Sequence, residues 1–277
     1  MTYRTVIHTL RLTPAQRQYF EERGRLEAHR HHHCLHHHRP LALESLRRRI
    51  RCDINTLPPA FDPQRVRLVV SDLDSTLIAI ETIDELAAEV GAKSQVAAIT
   101  ERAMAGELDF AAALRERVAL LEGLPAARLE RVFETRMKPA IQPGAAETLA
   151  WLKRRGVVFA VVSGGFTFFT DRLRKILPID HALACRLEIK GGRLTGRLLE
   201  PIVDKDTKTA FLRDLARRMG LDPMETAALG DGANDVAMLQ AAGLGVAYHG
   251  RAVVRQHADA CIDFGDWHAL QQLLEHP

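Results

Sequence analysis

Cysteine is scarce in this 277-residue chain, and its four copies, Cys34, Cys52, Cys185 and Cys261, stand at no short spacing from one another. That excludes a disulfide framework or a cysteine-built zinc site and points to reduced thiols. No apolar run approaches the ~20 residues needed to cross a bilayer, and no apolar signal segment stands at the start, so a soluble cytoplasmic protein is expected. With 12 Pro and 18 Gly, low-complexity disorder is not the default. Lysine is missing from the first 65 residues, where 12 Arg oppose 6 acidic residues; the remainder has 26 basic and 29 acidic residues, so the net charge of +3 is +6 less 3. A basic excess confined to a leader gives no expectation of nucleic acid or membrane as partner.

What the chain does have is apolar content, 47%, enough for one large α/β core with a smaller appendage. The leader also holds "HRHHHCLHHHR", seven of the thirteen histidines between His29 and His38. Such a tract can bind divalent metal, but a flexible, solvated loop without a catalytic role is the expectation. Around it, "YRTVIHTL", "TPAQRQYFEERGRL", "PLALESLRRRI" and "RCDINTLP" predict strand, helix, helix, strand. Residues 1–64 are therefore read as a small α/β accessory domain, with "LPPAFDP" as linker to residues 65–277.

Beyond the linker, "VRLVVSD", "VVFAVVSGG", "TAALGDG" and "GLGVAY" read as short buried strands bounded by Gly or Asp. Helical stretches such as "AAETLAWLKRRG" and "DTKTAFLRDLARRMG" lie between them, which predicts a parallel sheet covered on both faces. "LEIKGGRLTGRLL" predicts a hairpin at one edge. From Thr82 to about Met137 only amphipathic helices separated by Gly or Pro are found. This is an insertion after the first strand, here bounded as a cap of residues 79–138, placed to act as a lid over the strand end.

The run "VRLVVSDLDST" ends in two aspartates one residue apart. Asp72 and Asp74 would emerge where open α/β sheets bind ligands, at the carboxyl ends of the strands. Ser163 in "VVSGGF", Lys208 in "DKDTKTA", and Asp231, Asn234 and Asp235 in "GDGANDV" are expected to converge on the same place. Several carboxylates with one ammonium suit a hard cation such as Mg²⁺ and a phosphate, with an ionised aspartate as nucleophile. Gly164 and Gly165 let the backbone approach a phosphate oxygen. Taken singly, each motif is also what a turn, a helix cap or a solvated lysine would give.

In that order, "DLDST", "VVSGGF", the lysine of "DKDTKTA" and "GDGAND" resemble the haloacid dehalogenase superfamily, and the cap stretches "ETIDELA" and "ERAMAGELDFAAALRERV" resemble its phosphoserine phosphatase branch. The resemblance covers residues 66–277. It implies a Rossmann-like core with an inserted helical cap, Mg²⁺ as cofactor, and hydrolysis of the small molecule O-phosphoserine in serine biosynthesis. Asp72 would form an aspartyl-phosphate; Asp74 would protonate the leaving oxygen and then activate water. Mg²⁺ would be held by Asp72, the backbone carbonyl of Asp74 and Asp231, with Asp235 in support. Ser163, Gly164, Lys208 and Asn234 would hold the phosphoryl group. Glu81 would accept the substrate ammonium and Arg117 would bind its carboxylate, with Phe110 and Met104 walling the pocket. Relatives often carry an amino-acid-binding regulatory domain before the core, which raises control by serine, and a homodimer through the leader, as questions. A superfamily phosphatase or phosphotransferase acting on another phosphomonoester is the alternative, and a histidine-based metal-binding protein is the non-enzymatic one.

Overall fold

The computed structural model describes residues 2–275, apart from the side chain of Met104. The leader folds as β1 (Tyr3–Ile7), α1 (Pro14–Glu21), β2 (Arg25–Ala28), β3 (His33–His37), α2 (Glu44–Ile50) and β4 (Ile54–Leu57). Its antiparallel sheet has the order β2-β3-β1-β4, a split β-α-β-β-α-β unit. Thr13 opens α1 with a capping box, its hydroxyl accepting from the Gln16 amide while the Gln16 side chain accepts from the Thr13 amide.

The histidine tract is therefore not a solvated loop, and the leader has two strands that its sequence did not declare. β3 lies inside the sheet, and His32, His33 and His37 are buried. Alternation puts Leu35 on the face of Ile7, Phe20 and Ile54. On that face the His37 ring stacks on Tyr3 with centroids 5.4 Å apart, and its Nε2 lies 2.8 Å from Thr5 Oγ1. Imidazoles with hydrogen-bond partners can fill an inner strand, whereas polarity alone assigns them to water.

The core comprises β5 (Leu68–Ser71), α3 (Thr82–Glu89), α4 (Lys93–Met104), α5 (Phe110–Ala119), α6 (Ala126–Val132), α7 (Ala145–Arg154), β6 (Val158–Phe166), α8 (Thr167–Ile176), β7 (His181–Lys190), β8 (Arg193–Leu199), α9 (Lys205–Arg218), β9 (Thr226–Gly230), α10 (Val236–Ala241), β10 (Leu244–Tyr248), α11 (Ala252–Arg255), β11 (Ala260–Ile262) and α12 (His268–Leu274). Its seven strands run β11-β10-β9-β5-β6-β7-β8, parallel but for β8. The expected α/β class, edge hairpin and helical insertion between β5 and β6 are all present. The chain leaves β5 for β6 on one side and returns to β9 on the other, so the strand order reverses at β5. That reversal opens a crevice at the carboxyl ends of the strands, where ligands of open α/β sheets bind.

The leader docks on β11 and α12. Asn55 donates its side-chain amide to the Cys261 carbonyl (3.0 Å) and accepts from the Cys261 amide (2.8 Å). The Asp53 carboxylate accepts from the backbone amides of Asp263, Phe264 and Gly265. Arg4 donates to the Leu273 carbonyl at 2.9 Å. Val6 and Leu57 pack into the main core rather than into the leader's own cluster.

Candidate active site

Four strand ends and loops meet in the crevice at β5. Every residue of β5 is buried, so the strand stays apolar until it reaches the edge, where Asp72 follows directly. Asp72 Oδ1 accepts from the Leu73 amide at 2.7 Å, and its Oδ2 lies 2.6 Å from Lys208 Nζ. Lys208, on the first turn of α9, is buried, and its ammonium also lies 2.7 Å from Asp235 Oδ1. Asp235 accepts through Oδ2 from the amides of Asp231 and Gly232 at 3.1 Å each. One cation thus bridges two buried carboxylates, and Asp235 folds the "GDGAND" loop around itself. Burial and the neighbouring Asp235 push the Asp72 carboxyl above the usual carboxylate range against the pull of Lys208, while the two carboxylates hold Lys208 protonated above the ordinary lysine value.

Asp74 sits two residues on and faces elsewhere. Its Oδ1 accepts from the Thr82 amide at 2.8 Å and from the Thr82 hydroxyl, and its Oδ2 accepts from Ser163 Oγ at 3.1 Å. Burial first, then the charge of Glu81, raises its carboxyl to about 6, against those hydrogen bonds. A carboxyl of that strength can both give and take a proton near neutral pH. Ser163 Oγ in turn accepts from the Gly165 amide at 2.8 Å. The β6–β7 register passes from Ser163 opposite Ala184 to Phe166 opposite Cys185, so Gly164 and Gly165 bulge out of the ladder. A Cβ on Gly165 would stand 2.8 Å from Asp74 Oδ2, and one on Gly164 would stand 2.8 Å from the Phe110 ring. A side chain at either place would have to displace the Phe110 ring or the Asp74 carboxylate.

Among the described residues, Asp72, Asp231 and Asp235 form the group of three possible ligands whose oxygens lie within 4.8 Å of one another. This all-oxygen set suits a hard divalent cation. Asp231, at the end of β9, accepts from Thr76 Oγ1 at 3.3 Å, and burial and Asp235 raise its carboxyl to about 6. The side chain of Asp74 is turned to Thr82 and Ser163, which is compatible with the expectation that Asp74 serves a metal through its backbone carbonyl. Among the described residues no three leader histidines meet the same spacing.

The cap closes the crevice into a cleft of about 450 Å³. Glu81, Phe110, Arg117, Gly164 and Asn234 line it beside Asp72, Asp74, Ser163, Lys208 and Asp231. Met104 lies outside the described side chains. Arg117 Nε donates to the Ala113 carbonyl at 3.2 Å, while Arg115, two residues earlier, pairs with Glu200 at 2.8 Å on the outer side. Glu81 accepts from Ser75 Oγ at 2.7 Å. Ser75 has φ of 56°, a left-handed turn that lets the chain double back from Asp74 to Glu81. Sequence reading missed Thr82, which orients Asp74, and Asp84 and Arg251, which also line the cleft. Thr82 lies inside the "ETIDELA" stretch, and the need of a buried carboxylate for donors was the signal that could have found it.

A family model described as haloacid dehalogenase-like hydrolase matches residues 69–240. The chain belongs to this family. A phosphoserine phosphatase of Polaromonas is 43% identical over 227 residues, covering 80% of this chain and 94% of the relative. One of Archaeoglobus fulgidus is 44% identical over 229 residues, covering 83% of this chain and 66% of the relative. The crystal structure of a probable phosphoserine phosphatase from Vibrio cholerae, in unliganded form, superposes with a TM-score of 0.84 at 36% identity, covering 99% of this chain and 86% of that one. The leader therefore has a counterpart of the same fold. Haloacid dehalogenase phosphatases generally use a divalent metal, and the three carboxylates of this member have the chemistry to hold one. Among the described residues no helix is long and apolar enough to cross a membrane.

Proposed function

We propose that the chain hydrolyses O-phosphoserine to serine and phosphate, the last step of serine biosynthesis, in the cytoplasm and with Mg²⁺. The observation that carries this reading is a cleft offering partners for all three charged groups of the substrate: Lys208 and Asn234 for the phosphoryl group, Glu81 for the ammonium, Arg117 for the carboxylate. The relatives matched over 80% and 83% of the chain are both named phosphoserine phosphatases.

Asp72 attacks phosphorus in line and forms an aspartyl-phosphate as the P–O bond to serine breaks. Asp74, raised to about 6, gives its proton to the departing serine oxygen. It then takes a proton from the water that attacks the aspartyl-phosphate, releasing phosphate and restoring Asp72. Ser163 and Thr82 keep Asp74 turned toward the leaving oxygen rather than toward Lys208. Gly164 brings its backbone to the phosphoryl oxygens, and Phe110 lies over it to keep water out. Asp72, Asp231 and the Asp74 carbonyl, with Asp235 in support, would hold Mg²⁺, which would neutralise charge on the phosphoryl group.

Phosphate release from O-phosphoserine, O-phosphothreonine and an aryl phosphate, with Mg²⁺ or with EDTA, tests the reading. Phosphoserine should be the preferred substrate, and EDTA should abolish turnover. Equal rates on all three would return the enzyme to a general phosphomonoesterase.

A further inference from the structure

The β7–β8 hairpin reaches away from the core and meets the cap. The Gly123 amide donates to the Leu194 carbonyl (2.8 Å), the Leu194 amide to the Leu124 carbonyl (2.9 Å), and the Ala126 amide to the Gly192 carbonyl (2.8 Å). Pro125 and Arg193 form an antiparallel bridge, and Arg193 Nη1 donates to the Gly123 carbonyl at 2.7 Å. The loop between α5 and α6 is thus tied to the edge of β8 by an isolated bridge and its flanking backbone hydrogen bonds. Just beyond, α5 lies on the backbone of Gly196. A Cβ there would stand 3.1 Å from the Ala119 carbonyl oxygen and 3.0 Å from Glu122 Cβ, and φ of Gly196 is +72°. Arg115 adds an ion pair from α5 to Glu200.

The helix so gripped is the one that carries Phe110 and Arg117 into the cleft. Its start rests on Gly164 through the Phe110 ring, and its end rests on Gly196 through Ala119. Arg117 stands two residues before that second contact, on the same turn. We propose that Gly196 is a positioning residue for substrate choice: by letting the hairpin backbone touch α5, it fixes where the Arg117 guanidinium stands over the cleft. This rests on the phosphoserine reading and specifies how the cap enforces it. The chemistry at phosphorus comes from β5, β6, α9 and β9, so the hairpin governs recognition of the amino-acid part and not the reaction itself.

Gly196→Val sets a side chain 3.1 Å from the Ala119 carbonyl oxygen at a left-handed φ, so α5 and Gly196 must give by a fraction of an ångström, and Arg117 moves with α5. In this variant KM for O-phosphoserine should rise about 5-fold or more, since small misplacements of a binding group carry costs of that size. Its kcat/KM for p-nitrophenyl phosphate, which has neither ammonium nor carboxylate, should stay within about twofold. Arg193→Ala removes a single tether without backbone strain and should move the same ratio in the same direction by a smaller factor. It decides the matter if the Gly196 variant does not fold. Folded variants that lose both substrates equally, or neither, overturn the role of Gly196. A wild-type enzyme indifferent to phosphoserine overturns instead the reading beneath it, and this is measured first.

Discussion

Lys208 Nζ lies 2.6 Å from Asp72 Oδ2, both groups being buried at the carboxyl end of β5. The lysine is a structural counter-charge besides the phosphate ligand proposed above, since its other partner is Asp235. Lys208→Met leaves two carboxylates uncompensated in the interior and should cost roughly 3–5 kcal/mol of stability as well as activity. Urea titration without metal, alongside phosphate release, checks this. A variant that is inactive but as stable as wild type would show that the ammonium serves the substrate alone.

Asp72→Asn should abolish turnover, because an amide is neither a nucleophile nor a good ligand for a hard cation. Asp74→Asn should still bind Mg²⁺ by calorimetry, yet lose on the order of 10²–10⁴ in kcat through the missing proton shuttle. Undiminished steady-state hydrolysis by either variant would contradict the role given to it.

Glu81 and Arg117 should read the amino-acid part of the substrate. Burying an ammonium and a carboxylate without counter-charges is expensive, and a guanidinium can donate two parallel hydrogen bonds to a carboxylate. Either change to Ala should lower kcat/KM for phosphoserine roughly 30- to 1000-fold, about 2–4 kcal/mol. An aryl phosphate should be affected far less. Equal losses on the two substrates would assign these residues to the fold of the cap.

The leader should be sensitive to acid. Burial, then the neighbouring His29, pushes His32 down to about 3, and burial pushes His8 down to about 4 against the help of Asp53 and Gln272. The unfolded chain therefore binds more protons than the folded one from about pH 6.5 down to those values, so stability is full above that window and falls as pH drops through it. Each group contributes of order 1 kcal/mol per unit of pH. Melting at pH 7 and pH 4.5 should show a smaller drop for the variant carrying His8→Gln and His32→Gln than for wild type. Identical drops would place the acid sensitivity in carboxylates instead.

The catalytic side was legible because each motif sits at a strand end, where one apolar run followed by Asp or Gly fixes both the element and the edge it reaches. Arg115 and Arg117 stand two apart on α5 and so face opposite ways, and the structure sends Arg115 to Glu200 and Arg117 to the cleft. The leader was not legible in the same way. In "HRHHHCLHHHR" the residues of the two faces differ little in polarity, so no alternation marks β3, and its His37 is buried by partners distant in sequence, Tyr3 and Thr5. The hold of Thr82 on Asp74 was hidden for a related reason, since a donor set assembled by a left-handed turn at Ser75 has no periodic signature.

The Asn55 side chain donates to the Cys261 carbonyl and accepts from the Cys261 amide, so a single residue occupies the place that a neighbouring strand would take on the last strand of the seven-stranded sheet. An open edge of this kind is where foreign strands add and aggregates begin. Cutting the chain in "LPPAFDP" would uncover that edge together with the apolar ground under Val6 and Leu57. The leader is therefore a guard as well as an appendage, and its loss would first be seen in the light scattering of the concentrated protein rather than in the turnover of a dilute assay.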